Sequence, residues 1–192
     1  MNMNDQWDWE LVWQKNQHRL PWIVDEVQPS LIEHTTYLRP KSILELGCGD
    51  GLNTNWLHCN GYDVYGIDKS ATAIHMAKQK FPLVKNFFPA DLFEYAPDKV
   101  FDFIFDRGCF QCFNITEMTA CVQKIYSLLE NEGHWLSIIG KHRLNSSGPP
   151  QYNITTLAPI LEKRFDIQSI RTVYLLSSTS VKYPAWEVLC KK

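Results

Sequence analysis

Short apolar runs alternate with longer amphipathic stretches from residue 41 onward. The runs are rich in β-branched and aromatic residues, which favour buried strands, whereas the stretches between them have helical spacing. The predicted strands are residues 42–46, 63–67, 85–88, 101–105 and 134–139, and the predicted helices between them are residues 54–59, 71–79 and 116–129. Strands and helices in alternation indicate an α/β fold around a mostly parallel sheet.

The helix at residues 116–129 has the clearest pattern. Its apolar side chains recur three and four positions apart, at Met118, Cys121, Val122, Ile125, Leu128 and Leu129. This spacing places them on one helical face, which we expect to pack against the sheet.

Both ends of the chain depart from the alternation. A helix is predicted near residues 156–163, and two strands follow it in succession at 170–176 and 186–190. Consecutive strands predict an antiparallel hairpin at the sheet edge. The first forty residues contain four tryptophans and a helical stretch, 27–37. We expect residues 1–40 to form a helical cap or lid over the edge of the sheet where a ligand binds. Residues 41–192 are predicted to form the rest of the same domain.

The composition of the chain limits the classes of partner that the protein is expected to bind. The chain has 192 residues, 45% of them apolar, which is enough for one well-buried core and predicts a single domain. Its formal net charge is −2 and it has no long run of Lys or Arg, which argues against nucleic acids and membrane surfaces. We therefore expect a small-molecule partner, and a chain that is a monomer or a weak dimer.

The chain also favours a cytoplasmic location. Its first residues, MNMNDQW, are polar and acidic where a signal peptide is basic and then apolar, and no stretch approaches the roughly 18 apolar residues of a membrane span. The six cysteines are scattered through predicted regular structure, so free thiols are expected.

A glycine-rich turn joins the first predicted strand to the following helix. Residues 43–51 read ILELGCGDG, and such glycines let the backbone turn sharply and approach a ligand beyond the strand end. The spacing G-x-G-x-G departs from the dinucleotide pattern G-x-G-x-x-G, and Asp50 is unfavourable beside a pyrophosphate. The turn instead suits S-adenosylmethionine (SAM), whose sulfonium and ammonium charges we expect Glu45 or Asp50 to balance.

Two aspartates follow the next two strands. Asp68 lies about 20 positions after the turn, where a carboxylate accepts hydrogen bonds from both ribose hydroxyls. We expect Asp91 to accept from the adenine amino group while Leu92 and Phe93 cover the ring. Each feature alone also fits an ordinary tight turn or a helix cap, but their order favours SAM. The predicted cofactor residues here are Glu45, Gly47, Cys48, Gly49, Gly51, Asp68, Lys69, Asp91, Leu92 and Phe93, with Asp106 from the fourth strand.

The loop after the fourth strand, residues 106–113, reads DRGCFQCF and is predicted at the same edge, on the substrate side. Methyl transfer mainly requires alignment and exclusion of water, because the methyl carbon is already activated. We predict Asp106 and Arg107 as the catalytic residues and Phe110 as a substrate contact. With a thiol as nucleophile, the Arg107 cation would favour the thiolate. The alternative is an Asp106–Arg107 pair that only orders the loop.

Two other sets of residues give weaker indications of function. Cys109 and Cys112 have C-x-x-C spacing, but no second C-x-x-C follows and the position is not that of a thioredoxin-like motif, so no metal or redox role is expected. Residues 141–143, KHR, follow the fifth strand, where they suit either an anion contact with His142 as a base or a solvated loop.

With these residues in view, the chain resembles the thiopurine S-methyltransferase and halide/thiol methyltransferase group of class I enzymes. The resemblance rests on residues 9–13 (WELVW) with Pro21 and Trp22, the glycine turn with Asp68, residues 105–108 (FDRG) and residues 148–152 (GPPQY). The glycine turn is common to class I methyltransferases, whereas the other motifs are more selective.

The resemblance implies a Rossmann-like fold with a seven-stranded sheet, SAM as cofactor and S-adenosylhomocysteine as product. It further implies that Trp13 and Trp22 line the site as part of a lid, that Arg107 faces the substrate, and that the segment ending at Tyr152 forms a wall. The chain departs from halide-transferring members after Asp106, and it has Cys109-Phe-Gln-Cys112 where others have apolar residues.

The sequence thus predicts a SAM-dependent methyltransferase of a small molecule, with a soft nucleophile such as a thiol, a thiopurine-like heterocycle or a halide as acceptor. Two alternatives stay open. One is O- or N-methylation of a small metabolite on the same fold. The other is a SAM- or nucleotide-binding regulator without catalysis.

Overall fold

The computed structural model describes residues 8–16, 20–141, 152–179 and 182–192. The helices are α1 (Trp9–Asn16), α2 (Pro29–Leu38), α3 (Leu52–Cys59), α4 (Ala71–Lys80), α5 (Ile115–Leu128) and α6 (Ile154–Leu161), with a short 3-10 helix at Phe110–Cys112. The strands are β1 (Ser42–Leu46), β2 (Asp63–Asp68), β3 (Phe87–Pro89), β4 (Phe101–Arg107), β5 (Leu129–Gly140), β6 (Asp166–Leu175) and β7 (Tyr183–Lys191). Every strand and helix predicted from the pattern is present, the first strand at its predicted bounds and the others with shifted ends.

The seven strands form one mixed sheet in the order β3-β2-β1-β4-β5-β7-β6. The first five are parallel, and β7 runs antiparallel between β5 and β6. This confirms the α/β class, the mostly parallel sheet and the C-terminal antiparallel hairpin. All five residues of β1 are buried, as expected of a central strand covered on both faces.

Helices cover both faces of the sheet. On one face the apolar stripe of α5 packs with α6, and the buried residues of α5 are Met118, Cys121, Val122, Ile125 and Leu128. A capping box in which Asn114 and Glu117 exchange hydrogen bonds begins this helix. On the other face Leu31 of α2 and Leu57 of α3 join a second buried cluster.

Within the described part of the chain, no helix is long and apolar enough to cross a bilayer.

Candidate active site

The carboxyl ends of β1 and β4 lie side by side, with Leu46 paired to Asp106. From β1 the strand order proceeds to β2 and β3 on one side and to β4 and β5 on the other. Such a switch point is where open α/β sheets bind ligands. The fold therefore brings together the glycine turn after β1 and the loop after β4.

The glycine turn is a close-fitting backbone cradle. Gly47 and Gly49 have φ of +62° and +55°, the left-handed region that side-chain-bearing residues avoid. A Cβ on Gly47 would lie 2.9 Å from the Cβ of Cys109, and a Cβ on Gly49 would lie 3.1 Å from the ring of Trp13. Gly51 follows and caps α3. The surroundings of the turn therefore leave no room for side chains at these positions.

Glu45 lies at the base of this cradle and is 2% exposed. Its Oε1 accepts a hydrogen bond of 2.9 Å from the Asn53 side chain, and the Thr54 hydroxyl donates to its Oε2. Burial raises the pKa of Glu45 to about 7, although the bonds from Thr54 and Asn53 act in the opposite direction. Asp50, the other acid of the turn, forms an ion pair of 2.7 Å with Lys80.

Asp68 ends β2 beside the turn. Its Oδ2 accepts from the Gly49 N–H and its Oδ1 from the Ser70 N–H, both at 2.9 Å. Burial raises the pKa of Asp68 to about 6, against the effect of these two bonds. Each carboxylate oxygen has a second lone pair, so the side chain can still accept two more hydrogen bonds.

Asp91, Leu92 and Phe93 follow β3 along the same edge. Asp91 pairs with Lys69 at 2.9 Å and accepts the Phe93 N–H at 2.9 Å. Burial acts to raise the pKa of Asp91, but these two contacts outweigh it and hold the pKa below its ordinary value. Leu92 is buried in the core, whereas Phe93 is 39% exposed and meets Phe113 edge to face. Phe93 is therefore the better placed of the two to cover a ring.

Arg107, the last residue of β4, joins three parts of the site. Its Nη1 donates to the Trp22 carbonyl at 3.2 Å, and its Nη2 donates to the Leu176 carbonyl after β6. Within the described residues its buried Nε has no hydrogen-bond partner. Burial lowers the pKa of Arg107, while the Glu45 and Asp50 carboxylates oppose the shift, and the side chain stays cationic.

Two predicted site residues, Asp106 and Phe110, are buried in the loop after β4. Asp106 is fully buried, accepts the N–H groups of Cys109 and Phe110 at 3.2 and 2.9 Å, and accepts the Trp135 indole N–H at 3.0 Å. Phe110 is 1% exposed and packs edge to face on Trp135. In this structure both residues order the loop after β4, and the roles of Asp106 as a catalytic and cofactor-binding residue and of Phe110 as a substrate contact stay predictions. The alternative prediction was that an Asp106–Arg107 ion pair orders this loop. In the structure Asp106 instead accepts hydrogen bonds from Cys109, Phe110 and Trp135.

The N-terminal segment covers the glycine turn. Trp13 of α1 is 3% exposed and packs with Leu20 and with Ala73 of α4. Trp22 follows and meets Trp9 edge to face at 5.9 Å. Beneath them lies a cavity of about 50 Å³. The residues singled out in the sequence that line it are Trp13, Trp22, Glu45, Gly47, Cys48, Gly49, Asp50 and Arg107.

Tyr152, the remaining predicted substrate residue, does not reach this cavity. Its hydroxyl donates to the Phe113 carbonyl at 3.0 Å and its ring packs against the α5 side of the core. The rest of the predicted wall, 148–151, lies outside the described residues, as do His142 and Arg143.

The C-x-x-C pair has no described metal partners. The part of the chain that the structure describes contains no group of three or more His, Cys, Asp or Glu side chains able to hold a metal ion. Burial raises the pKa of the Cys109 thiol well above its ordinary value, and the Cys112 thiol donates to the Gly108 carbonyl. Cys109 therefore serves as a packing partner of Gly47.

Sequence reasoning did not single out Val24, Leu52 and Asn53, which also line the cavity. Leu52 and Asn53 were detectable, because the first turn of a helix that follows a ligand-binding turn faces the same ligand. Val24 has no local signal, since only the path of the N-terminal segment brings it there.

Solved structures with the same architecture identify the fold. One, from work on the conversion of a disulfide bond into a thioacetal group during echinomycin biosynthesis, superposes with a TM-score of 0.84 at 20% identity, over 95% of this chain and 89% of the other. Another is the N-methyltransferase NodS from Bradyrhizobium japonicum WM9 with S-adenosyl-L-homocysteine, with a TM-score of 0.74 at 17% identity over 95% and 97%. The chain has the fold of class I SAM-dependent methyltransferases.

The sequence relationships are more specific. A probable thiol methyltransferase 2 from Arabidopsis thaliana is 27% identical over 157 residues, which is 78% of this chain and 69% of the relative. The family model for thiopurine S-methyltransferase matches residues 4–188. The chain belongs to this family and is a SAM-dependent methyltransferase, which sets aside the non-catalytic alternative.

Proposed function

We propose that the protein transfers the methyl group of SAM to the sulfur of a small thiol or a comparable soft nucleophile. One observation carries the proposal: Arg107 is the cation among the described residues that line the cavity, and its buried Nε is free to donate. A guanidinium in a poorly hydrated site favours an anionic nucleophile. The thiol methyltransferase named above and the sulfur chemistry linked to the echinomycin structure agree with it.

We assign the cofactor to the cradle and the sheet edge beside it. The two unused lone pairs of Asp68 suit the ribose hydroxyls, and the backbone of Gly47 and Gly49 suits the methionine end. Glu45 suits the ammonium group because Asp50 is already neutralised by Lys80. Asp91 and Phe93 suit the adenine edge and face, with Lys69 fixing Asp91.

The residues of the cavity supply positioning and charge. When bound, SAM supplies an activated methyl carbon. Arg107 stabilises a thiolate near it, which lowers a thiol pKa from its usual value of about 8.5 and makes a general base unnecessary. Trp13 and Trp22 exclude water, so that this charge interaction is strong and the nucleophile is poorly hydrated.

The experiment is methyl transfer from labelled SAM to a panel of small thiols, halides, phenols and amines. We expect turnover with thiols, and with halides if the site accepts any compact soft anion. Transfer confined to phenols or amines would contradict the proposal and would favour the O- or N-methyltransferase alternative.

Replacing Arg107 tests its role in thiol activation. We expect Arg107→Met to lower kcat/KM for a thiol by at least about tenfold, which is about 1.4 kcal/mol of transition-state stabilisation. We also expect the apparent thiol pKa in the pH–rate profile to rise by about one unit, toward the free value. Arg164→Met is the control, because Arg164 lies over Tyr126, outside the site. A lower rate with an unmoved pH profile would show that Arg107 only holds the loops together.

A further inference from the structure

Glu10 of α1 reaches across to the start of α4. Its carboxylate accepts from the Ser70 hydroxyl at 2.7 Å, the Thr72 hydroxyl at 2.6 Å and the Thr72 N–H at 3.1 Å. These bonds satisfy donors at a helix N-terminus, where a negative charge is also favoured by the helix dipole. A fourth bond, from Gln14 at 2.7 Å, comes from within α1.

This contact is one side of a closed ring of interactions around the cofactor cradle. Ser70 donates its hydroxyl to Glu10 and its N–H to Asp68, and Asp68 also accepts the N–H of Gly49. The indole side chain of Trp13 lies over Gly49. Since Glu10 and Trp13 are three positions apart on α1, they share one helical face. Fixing Glu10 on α4 therefore fixes Trp13 on the cradle.

With the ring closed, the cavity beneath Trp13 measures about 50 Å³. Trp13 is 3% exposed and packs against Gly49 and Ala73, so it closes the cradle on the α1 side, and a cofactor that passes there has to displace it. Displacing Trp13 requires α1 to move, and moving α1 breaks the bonds of Glu10 to Ser70 and Thr72.

We propose that Glu10 is a positioning residue that gates the entry of SAM and the exit of S-adenosylhomocysteine by fastening α1 to Ser70 and Thr72. The proposal rests on the cofactor site assigned above. A gate of this kind changes the association and dissociation rates together, because it adds to the barrier from both sides. It leaves the dissociation constant nearly unchanged when the fastened arrangement exists with and without the cofactor.

The test is stopped-flow binding of S-adenosylhomocysteine, followed by intrinsic tryptophan fluorescence. We expect Glu10→Ala, which removes all three bonds to α4, to raise both rates at least about tenfold, and Glu10→Gln to have a smaller effect because an amide oxygen still accepts. Gln14→Ala is the control, since it removes only the bond within α1. Thr72→Val should raise both rates, and its effect should not add fully to that of Glu10→Ala.

Hydrogen exchange in the unliganded protein provides an independent measurement. We expect Glu10→Ala to speed amide exchange in residues 9–16 and to leave β1 and β4 unchanged. Unchanged exchange and unchanged rates in Glu10→Ala would overturn the gate. If the wild-type protein binds no S-adenosylhomocysteine, the proposed cofactor site is wrong. In that case amide exchange in α1 still measures, independently of the cofactor, whether Glu10 fastens the helix.

Discussion

Asp68 is the single side chain on which the proposed ribose contact depends. Because its two backbone hydrogen bonds leave both oxygens able to accept again, we expect Asp68→Ala to weaken SAM binding by at least about 1 kcal/mol, measured by calorimetry. Asp63→Ala is a matched control, since Asp63 lies at the opposite end of the same strand and pairs with Lys99. Equal affinities in wild type and Asp68→Ala would place the ribose elsewhere.

Two carboxyls of the site, the buried Glu45 and the partly buried Asp68, predict a pH dependence. Burial raises the pKa of Asp68 from 3.8 to about 6 and that of Glu45 from 4.5 to about 7. The folded protein therefore holds these protons more tightly than the unfolded chain. The stability they contribute is present below pH 3.8 to 4.5 and is lost as pH rises through about 6 and 7.

Cofactor binding should depend on pH with the opposite sign. Ribose hydroxyls and an ammonium group favour ionised carboxylates, so we expect the dissociation constant for SAM to fall as pH rises from 5.5 to 8, by up to about tenfold per unit for each group at the steepest part. Calorimetry across this range measures it, and Asp68→Asn should remove the part of the slope near pH 6. A flat profile in the wild type would contradict the proposed charge contacts.

Among the elements, α5 can be tested through its capping box. Asn114 accepts the Glu117 N–H at 3.0 Å and donates its own N–H to the Glu117 carboxylate at 3.0 Å. We expect Asn114→Ala to lower the free energy of unfolding by about 1 kcal/mol in urea denaturation, because a helix N–H loses its acceptor. Ser127→Ala near the other end of the helix should change it by less than about 0.5 kcal/mol. A loss no larger than in Ser127→Ala would mean that water replaces the cap.

The elements were predictable where burial creates a local pattern. The first strand, residues 42–46, was predicted at its observed bounds because every side chain in it is apolar or buried between neighbours. The extension of β5 back to Leu129 was missed, because residues 130–133 are polar or glycine. That extension comes from pairing with β4, which has an irregular register there. Partner strands supply this information, and the local sequence does not contain it.

The same limit applies to the site. Residues on strand ends, such as Glu45, Asp68 and Arg107, follow from topology, because parallel strands end at a common edge. The direction in which each side chain points does not follow from topology. The carboxylate of Asp106 turns into the core, whereas that of Asp68 accepts a hydrogen bond from the glycine turn. Glu10 was not predicted at all, since its partners lie about 60 positions away and no short spacing connects them.

At the scale of the whole molecule, the lid and the sheet should respond to cofactor as one unit. A ligand that binds only the folded state stabilises it by about 2.7 kcal/mol at one hundred times its dissociation constant. For a chain of this length that is a rise in Tm of roughly 5–10 °C. We therefore expect this rise with SAM and a negligible one with NAD at the same concentration, because the G-x-G-x-G spacing departs from the dinucleotide pattern and Glu45 lines the cavity at the turn. Thermal denaturation followed by circular dichroism measures both, and a larger shift with NAD would contradict the assignment of the glycine turn to SAM.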